Sequence, residues 1–158
     1  MRVNRDFFRT FSVVTLAAAV LALLTVADAA QRNSSQPRIS NFGCINENFF
    51  RGAQPKGSDY RDLAAMGVKT VIDLQSDGDR KEPQLVEAAG MKYYKIGLSD
   101  SSWPSPEKTE QFLKIVDDPA SQPVFIHCHG GRHRAGIMTA VYRMYHDGWN
   151  ADRAYAEM

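Results

Sequence analysis

The residues with the greatest potential for chemistry lie together in the stretch His-Cys-His-Gly-Gly-Arg-His-Arg, residues 127–134. Cys128 follows a short apolar run that predicts a buried strand, and Arg134 comes six positions later, where a helical pattern begins. A cysteine thiolate is a strong nucleophile whose reaction needs no metal ion. The spacing therefore predicts a nucleophile and a permanent cation on either side of a short loop.

The loop between these two residues has the composition of an anion-binding site. Gly130 and Gly131 permit a tight turn whose backbone approaches a ligand closely. In a strand–loop–helix, successive N–H groups point inward and the helix N-terminus adds partial positive charge. We expect residues 129–134 to bind a phosphoryl group, with two of its oxygens held by the planar fork of Arg134. The same field favours the thiolate of Cys128, which would attack phosphorus and form a cysteinyl-phosphate that water hydrolyses.

Three histidines and a second arginine surround the predicted nucleophile. We expect His127 to support the loop and the thiolate through its hydrogen bonds. The others are predicted to add positive charge at the pocket mouth, or to be solvated side chains: His129, Arg132 and His133. With Cys128, the histidines also offer enough ligands for zinc. Adjacent strand residues point to opposite faces, however, and zinc would require neither the glycines nor Arg134, so we predict no metal ion and no other cofactor.

The pattern His127-Cys128-x5-Arg134 resembles the signature of the protein tyrosine and dual-specificity phosphatases. Further motifs are similar to the plant-and-fungal-type atypical dual-specificity phosphatases and their bacterial relatives: Gly131, His133, Gly136 and residues 41–42, 50–55 and 68–74. The resemblance covers about residues 39–158. It implies a compact α/β phosphatase fold, with Cys128 as the nucleophile and Arg134 as a phosphate ligand.

One departure from that family concerns the residue after the arginine. The family usually has serine or threonine there, whose hydroxyl hydrogen-bonds the cysteine sulfur and helps the thiolate leave the phosphoenzyme. This chain has Ala135. We therefore expect Cys128 to be phosphorylated readily and the phosphocysteine to be hydrolysed slowly. A pseudo-phosphatase that only binds phosphate is an alternative.

The leaving oxygen of a phosphate ester needs a proton, and the resemblance implies an aspartate on another loop as its source. Asp100 is the first candidate because it follows a predicted strand and lies in a Ser-Asp-Ser-Ser-Trp-Pro loop. Asp77 and Asp79 also follow a predicted strand, so they lie at the same carboxyl edge of the sheet, where ligands bind. Either could contact the substrate or replace Asp100 as the acid. Asp117 and Asp118 are predicted to cap a helix end.

Alternating strand and helix patterns must position these residues. Apolar runs predict strands at 68–74, 91–98 and 124–127, and one or two more within 39–50 before a turn at 51–55. Helices are predicted from caps at Ser58, Ser105 and Asn150, and at 79–89 and 135–146, with the last still continuing at Met158. This order predicts a mostly parallel central sheet flanked by helices, in one phosphatase domain at residues 38–158.

The first 30 residues are typical of an export signal. Three arginines precede the apolar run 11–26, which ends in a small-x-small pattern near Ala29 and Ala30. Residues 31–37 are polar and predict a mobile leader. We expect a periplasmic or secreted protein if the signal is cleaved, and a membrane-anchored one if it is not.

Without those 30 residues the chain has 16 basic and 16 acidic residues. A neutral domain has no general attraction for nucleic acid, so its anion binding must be local. The expected substrate is a phosphorylated protein, or a polyphosphorylated small molecule such as an inositol phosphate. Sulfur-transfer or arsenate chemistry is a further alternative, but no second catalytic thiol lies near Cys128.

The second cysteine of the chain has two interpretations. In an oxidising compartment, a regulatory disulfide between Cys44 and Cys128 is one hypothesis. The simpler alternative is that Cys44 is a small buried apolar residue.

Overall fold

Five strands form one sheet in the order β1-β2-β5-β3-β4. The computed structural model describes residues 37–100 and 102–158. The strands are β1 (Gly43–Asn46), β2 (Phe49–Ala53), β3 (Thr70–Gln75), β4 (Lys92–Leu98) and β5 (Val124–Cys128). β1 pairs with β2 in the antiparallel direction, and all other pairs are parallel. The predicted mostly parallel sheet is confirmed.

Within the described residues there are five helices, and the first four pack against the sheet while the last packs against the fourth. They are α1 (Asp59–Ala65), α2 (Glu82–Ala88), α3 (Pro106–Val116), α4 (His133–His146) and α5 (Ala151–Ala156). Apolar residues of α3 and α4, with Phe112 and Met138 fully buried, form one core cluster that includes Cys128. Residues of α1 and α2 form a second cluster with Phe125. Every residue of the central strands β3 and β5 is buried, as expected for parallel strands covered on both faces.

The register of the parallel strands aligns their carboxyl ends. Ala53 of β2 lies opposite Cys128, and Asp73 of β3 lies opposite His127. Segments that follow these strands therefore meet at one edge of the sheet, where parallel α/β proteins bind their ligands.

Two predicted helix caps are confirmed, and a third makes no capping hydrogen bond. The side chains of Ser105 and Asn150 accept hydrogen bonds from the N–H groups of Lys108 and Arg153. Ser58 precedes α1, but its side chain makes no such bond. Asp117 and Asp118 lie at the end of α3, as predicted, where Asp118 accepts the N–H of Ala120.

Several predicted boundaries were wrong. The turn expected at 51–55 is largely strand, because β2 runs to Ala53. A Cβ at position 52 would lie only 2.8 Å from Ile39 Cγ2, which is too close. Gly52 is therefore needed for close packing of the strand and not for a turn. α4 begins two residues earlier than predicted, at His133, and α5 ends at Ala156 instead of continuing to Met158.

The predicted export signal and most of the predicted leader lie outside the described residues. Of the leader, only Pro37 is described, and it is buried. Across residues 37–100 and 102–158, we find no helix with the length and apolar character needed to cross a membrane.

Candidate active site

Cys128 is the last residue of the central strand β5 and is 3% exposed. Its side chain belongs to the apolar cluster on the α3 and α4 face, together with Ile126 and Ala135. His127 faces the other side of the sheet, where its ring lies 6.0 Å from that of Phe125. The two adjacent residues thus point apart, as the sequence predicted.

The loop after Cys128 packs against the end of β2. Gly131 has φ of +69°, and a Cβ at this position would overlap both Ala53 N and the carbonyl carbon of Gly52. Only glycine combines this backbone conformation with so close an approach. α4 follows at once, and its first turn closes with a 2.7 Å hydrogen bond from Gly136 N–H to the Arg132 carbonyl.

Two further hydrogen bonds hold the loop, and neither donor was predicted from the sequence. The side-chain Nδ2 of Asn41 donates to the Gly130 carbonyl at 2.8 Å, and Gln54 N–H donates to the His129 carbonyl at 3.4 Å. Asn41 and Gln54 lie in two upstream segments that resemble family motifs, and this resemblance was the only sequence feature that could have indicated their role. The loop is therefore fixed by residues that precede it by more than 70 positions.

Arg134 is buried, with only 7% of its side chain exposed, and two aspartates approach its guanidinium. Its Nε lies 2.9 Å from Asp100 Oδ1 and its Nη1 lies 3.8 Å from Asp77 Oδ1. The structure thus brings Arg134 and both carboxylates together at the carboxyl edge of the sheet, where β5 ends at Cys128. Asp79 differs, since its Oδ1 accepts the N–H of Lys81 in the turn before α2.

The mouth of the site is open and carries several cations. His129, Arg132 and His133 are exposed. A cavity of about 380 Å³ adjoins the loop and is lined by His129, Gly130 and Arg132, and by the basic residues Arg38 and Lys56. Asp59 is the acidic residue of this lining. The loop thus has a positively charged neighbourhood on its β2 side.

Ala135 is fully buried in the first turn of α4. Its backbone carbonyl accepts a 2.8 Å hydrogen bond from the Thr139 hydroxyl, but its methyl side chain offers no donor to the cysteine sulfur. The departure from the family pattern therefore leaves one donor fewer near Cys128.

A second polar cluster lies behind the loop, on the His127 side of the sheet. Asp73, Glu82 and His127 are all 0% exposed, and Tyr60 and Tyr93 donate hydrogen bonds to Glu82 and Asp73. Burial, followed by the nearby Glu82 carboxylate, raises the pKa of Tyr60, and burial with Asp73 raises the pKa of Tyr93. Both hydroxyls therefore stay protonated and act as donors.

Cys44 and Cys128 are both free thiols. Cys44 is exposed on the edge strand β1, not buried as the simpler alternative held. Cys44 lies on β1 and Cys128 on β5, and β2 lies between these two strands. Two strand spacings amount to about 10 Å, whereas a disulfide tolerates a Cα–Cα distance of at most about 7 Å. The fold therefore does not support the proposed regulatory disulfide.

This arrangement is that of the cysteine-dependent phosphatases, and solved structures agree on the fold. The core catalytic domain of PP-IP phosphatase SIW14 from S. cerevisiae is 24% identical, with a TM-score of 0.66 over 78% of this chain and 76% of that chain. TpbA of P. aeruginosa, solved as a cysteine-to-serine variant in complex with phosphotyrosine, is 23% identical, with a TM-score of 0.65 over 80% of this chain and 75% of that chain.

The chain belongs to the family described as DSP-PTPase phosphatase fused to NAD+ kinase, whose profile matches residues 17–158. OCA1 of Mycosarcoma maydis, named as a candidate tyrosine-protein phosphatase, is 30% identical over 117 residues, which span 70% of this chain and 72% of OCA1. Inositol diphosphatase DSP3 of Arabidopsis thaliana is 28% identical over 109 residues, which span 66% of this chain but 54% of DSP3. The predicted kinship with the dual-specificity phosphatases is confirmed.

Proposed function

We propose that this protein hydrolyses phosphate esters through a cysteinyl-phosphate on Cys128. The observation that carries the proposal is the pairing of a buried Cys128 at the end of β5 with a buried Arg134 at the start of α4, across a glycine loop. In this mechanism the Sγ thiolate attacks phosphorus, and the loop N–H groups and Arg134 bind the phosphoryl oxygens. Water then attacks the phosphocysteine, which restores the thiolate and releases phosphate.

Asp100 is the proposed general acid. Its carboxyl lies 2.9 Å from the guanidinium of Arg134, the group that would hold the phosphate, which places it next to the proposed phosphate site. After the leaving group departs, the same carboxylate would take a proton from the attacking water. Asp77 occupies the second position on Arg134 and is the competing candidate.

For the substrate, we propose a polyphosphorylated small molecule of the inositol phosphate class. The support is the cavity beside the loop, where Arg38, Lys56 and Arg132 can neutralise phosphates other than the one being cleaved. Relatives named inositol diphosphatases, DSP3 among them, agree with this choice. A phosphotyrosine side chain carries a single phosphate and would leave these cations without an anion.

A substrate panel tests the proposal with the full chain under reducing conditions. We expect kcat/KM for inositol polyphosphates and diphosphates to exceed that for phosphotyrosine and phosphoserine peptides by at least about tenfold. Cys128→Ser should abolish turnover on p-nitrophenyl phosphate, because serine is a far weaker nucleophile at neutral pH. Wild-type activity no higher than that of Cys128→Ser would identify a phosphate-binding pseudo-phosphatase instead.

The cavity cations have a matched control within the chain. Lys56→Gln should lower kcat/KM for the inositol substrate about tenfold, because it removes a charge beside the loop, and should leave p-nitrophenyl phosphate hydrolysis unchanged. Lys69→Gln removes an exposed charge just before β3, at the opposite edge of the sheet, and should change neither. Equal effects of the two variants, or a preference for phosphotyrosine peptide, would count against the inositol phosphate class.

Export remains part of the proposal. The arginines, apolar run and small-x-small pattern of the first 30 residues support a periplasmic or secreted location. Amino-terminal sequencing of the protein from its native host should find a start near residue 31, whereas an intact Met1 would argue for an anchored or retained protein.

A further inference from the structure

The buried cluster of Asp73, Glu82 and His127 joins three separate elements of the fold. Asp73 comes from β3, Glu82 from the first turn of α2 and His127 from β5. Each residue is 0% exposed, and each offers one candidate metal-ligand atom within 4.8 Å of the other two. Nothing in the phosphatase mechanism uses Asp73 or Glu82.

The hydrogen bonds within this cluster leave several atoms unsatisfied. Among the described residues, neither ring nitrogen of His127 has a hydrogen-bond partner, and neither does Oε2 of Glu82. His127 Nε2 lies 2.8 Å from Glu82 Oε1 but is not aligned for a hydrogen bond, and His127 Nδ1 lies 4.0 Å from Asp73 Oδ1, which is too far for one. Unpartnered polar atoms at such depth are costly and point to a bound ligand.

The charge of the cluster points to a cation. Two fully buried carboxylates face one histidine, and the nearest lysine, Lys95, is 4.0 Å from Asp73 Oδ2 with 42% of its side chain exposed. A second proton on His127 would supply one positive charge, but it would leave buried N–H groups with no aligned acceptor. A divalent ion supplies two charges and binds histidine nitrogen and carboxylate oxygen directly.

We propose that Asp73, Glu82 and His127 bind a divalent transition-metal ion, Zn²⁺ in the first instance. Ligands of one zinc ion at about 2.0–2.2 Å lie roughly 3.3–4.3 Å apart. Separations that reach 4.8 Å must therefore shorten, and the 2.8 Å contact between His127 Nε2 and Glu82 Oε1 must lengthen, each by at least about 0.5 Å. A donor set of one imidazole and two carboxylates suits zinc better than calcium or magnesium, which prefer oxygen alone.

The neighbours of the cluster have the arrangement of an outer ligand shell. Tyr60 donates to Glu82 Oε1 at 3.2 Å, Tyr93 donates to Asp73 Oδ2 at 3.1 Å, and Gln75 N–H donates to Asp73 Oδ1 at 2.8 Å. Such contacts fix the direction of metal-binding carboxylates. Tyr93 is half-buried and Lys95 is exposed beside Asp73, so solvent reaches the immediate neighbours of the cluster.

The proposed ion would support the active site from behind without taking part in the reaction. It would fasten α2 to β3 and β5 directly before Cys128. The loop that carries Asp77 also rests on the cluster, since a Cβ on Gly78 would overlap Asp73 Oδ2. Loss of the ion is therefore expected to lower the stability of the protein more than it lowers the rate of the chemical step.

Metal content and thermal stability of the full chain test the proposal. After removal of metal and dialysis against Zn²⁺, we expect the wild type to retain about one zinc per chain by mass spectrometry, with Tm raised by on the order of 5–10 °C at saturation. Glu82→Gln and Asp73→Asn should lose both effects. Glu87→Gln, an exposed carboxylate on the same helix, is the matched control and should lose neither.

Co²⁺ separates this site from adventitious binding at the catalytic thiol. The expected spectrum has ligand-field bands without a thiolate charge-transfer band and is unchanged in Cys128→Ser. A thiolate band that disappears in Cys128→Ser overturns the proposal. So does a folded wild type that retains no zinc and shows no change in Tm, the result expected if a proton alone occupies the cluster. If both cluster variants fail to fold, the wild-type cobalt spectrum and zinc content still decide, and neither depends on phosphatase activity.

Discussion

The two halves of the active site are held in different ways. In the half proposed to bind phosphate, Cys128 and Arg134 are buried and the loop is fixed by close backbone contacts of Gly131 with Gly52 and Ala53. The half that would supply the proton rests on Asp100 and Asp77, whose side chains are 73% and 82% exposed. Exposed ion pairs contribute little to stability. The fold therefore preorganises the proposed phosphate site, whereas the two candidate acids are held mainly by their pairing with Arg134.

Among the variants that test this comparison, the largest effect is expected from Arg134→Lys. Lysine keeps the charge but lacks the planar fork, so both the phosphate and Asp100 lose their directional partner. We expect kcat/KM on p-nitrophenyl phosphate to fall about 10³-fold. Arg143→Lys on the same helix is the control, because Arg143 pairs with Asp147 and Glu157 and should retain activity. Similar losses in both variants would mean that Arg134 acts only through the stability of α4.

The acid-bearing half is tested by comparing Asp100→Asn with Asp77→Asn. On an alkyl phosphate, whose leaving oxygen needs a proton, Asp100→Asn should lower kcat about 10²-fold, while Asp77→Asn should have a much smaller effect. On an aryl phosphate with a good leaving group, both effects should shrink. Steady-state kinetics on the two substrates measure these effects. A larger loss of kcat on the alkyl phosphate in Asp77→Asn than in Asp100→Asn would assign the acid to Asp77.

The preorganised half is tested by Gly131→Ala against Gly130→Ala. A methyl group at 131 collides with the β2 backbone at positive φ, so we expect a lower Tm and a loss of activity of about 10²-fold as the loop moves by about 1 Å. Nothing lies within 4 Å of a Cβ at 130, so Gly130→Ala should keep the wild-type Tm. Calorimetry gives the Tm of each variant and kinetics gives its activity. Equal Tm values for Gly131→Ala and Gly130→Ala would show that the loop tolerates displacement.

The smallest effect is expected from Ala135→Ser, which restores a hydroxyl near the cysteine sulfur. If release from the phosphoenzyme limits the wild type, kcat should rise a few-fold and the initial burst in rapid-quench experiments should disappear. A wild-type time course that is linear from the first turnover would remove the argument for slow release.

The sequence predicted those parts of the site whose geometry is local. Cys128, the two glycines and Arg134 lie within seven consecutive residues, so their spacing alone implies a strand, an anion-binding loop and a helix. Asn41 and the cluster of Asp73, Glu82 and His127 could not be predicted in the same way. Their contacts depend on β5 lying between β2 and β3, a strand order that hydrophobic periodicity does not determine.

The error at β2 has a similar origin. Arg-Gly-Ala-Gln-Pro has the composition of a turn, yet residues 51–53 are strand, because Gly52 admits the side chains of Ile39 and Phe125 at close range. Composition alone does not distinguish a glycine that turns the chain from one that makes room for a neighbour.

The distance between the two thiols determines how the enzyme would respond to oxidants. A sulfenic acid on Cys128 can be rescued by condensing with a nearby thiol, but Cys44 lies on the far side of β2. No other cysteine is present in the chain. Protection of the oxidised protein would therefore depend on a small-molecule thiol, a partner reductase or condensation with a backbone nitrogen, and without one of these the nucleophile would proceed to the irreversible sulfinic acid.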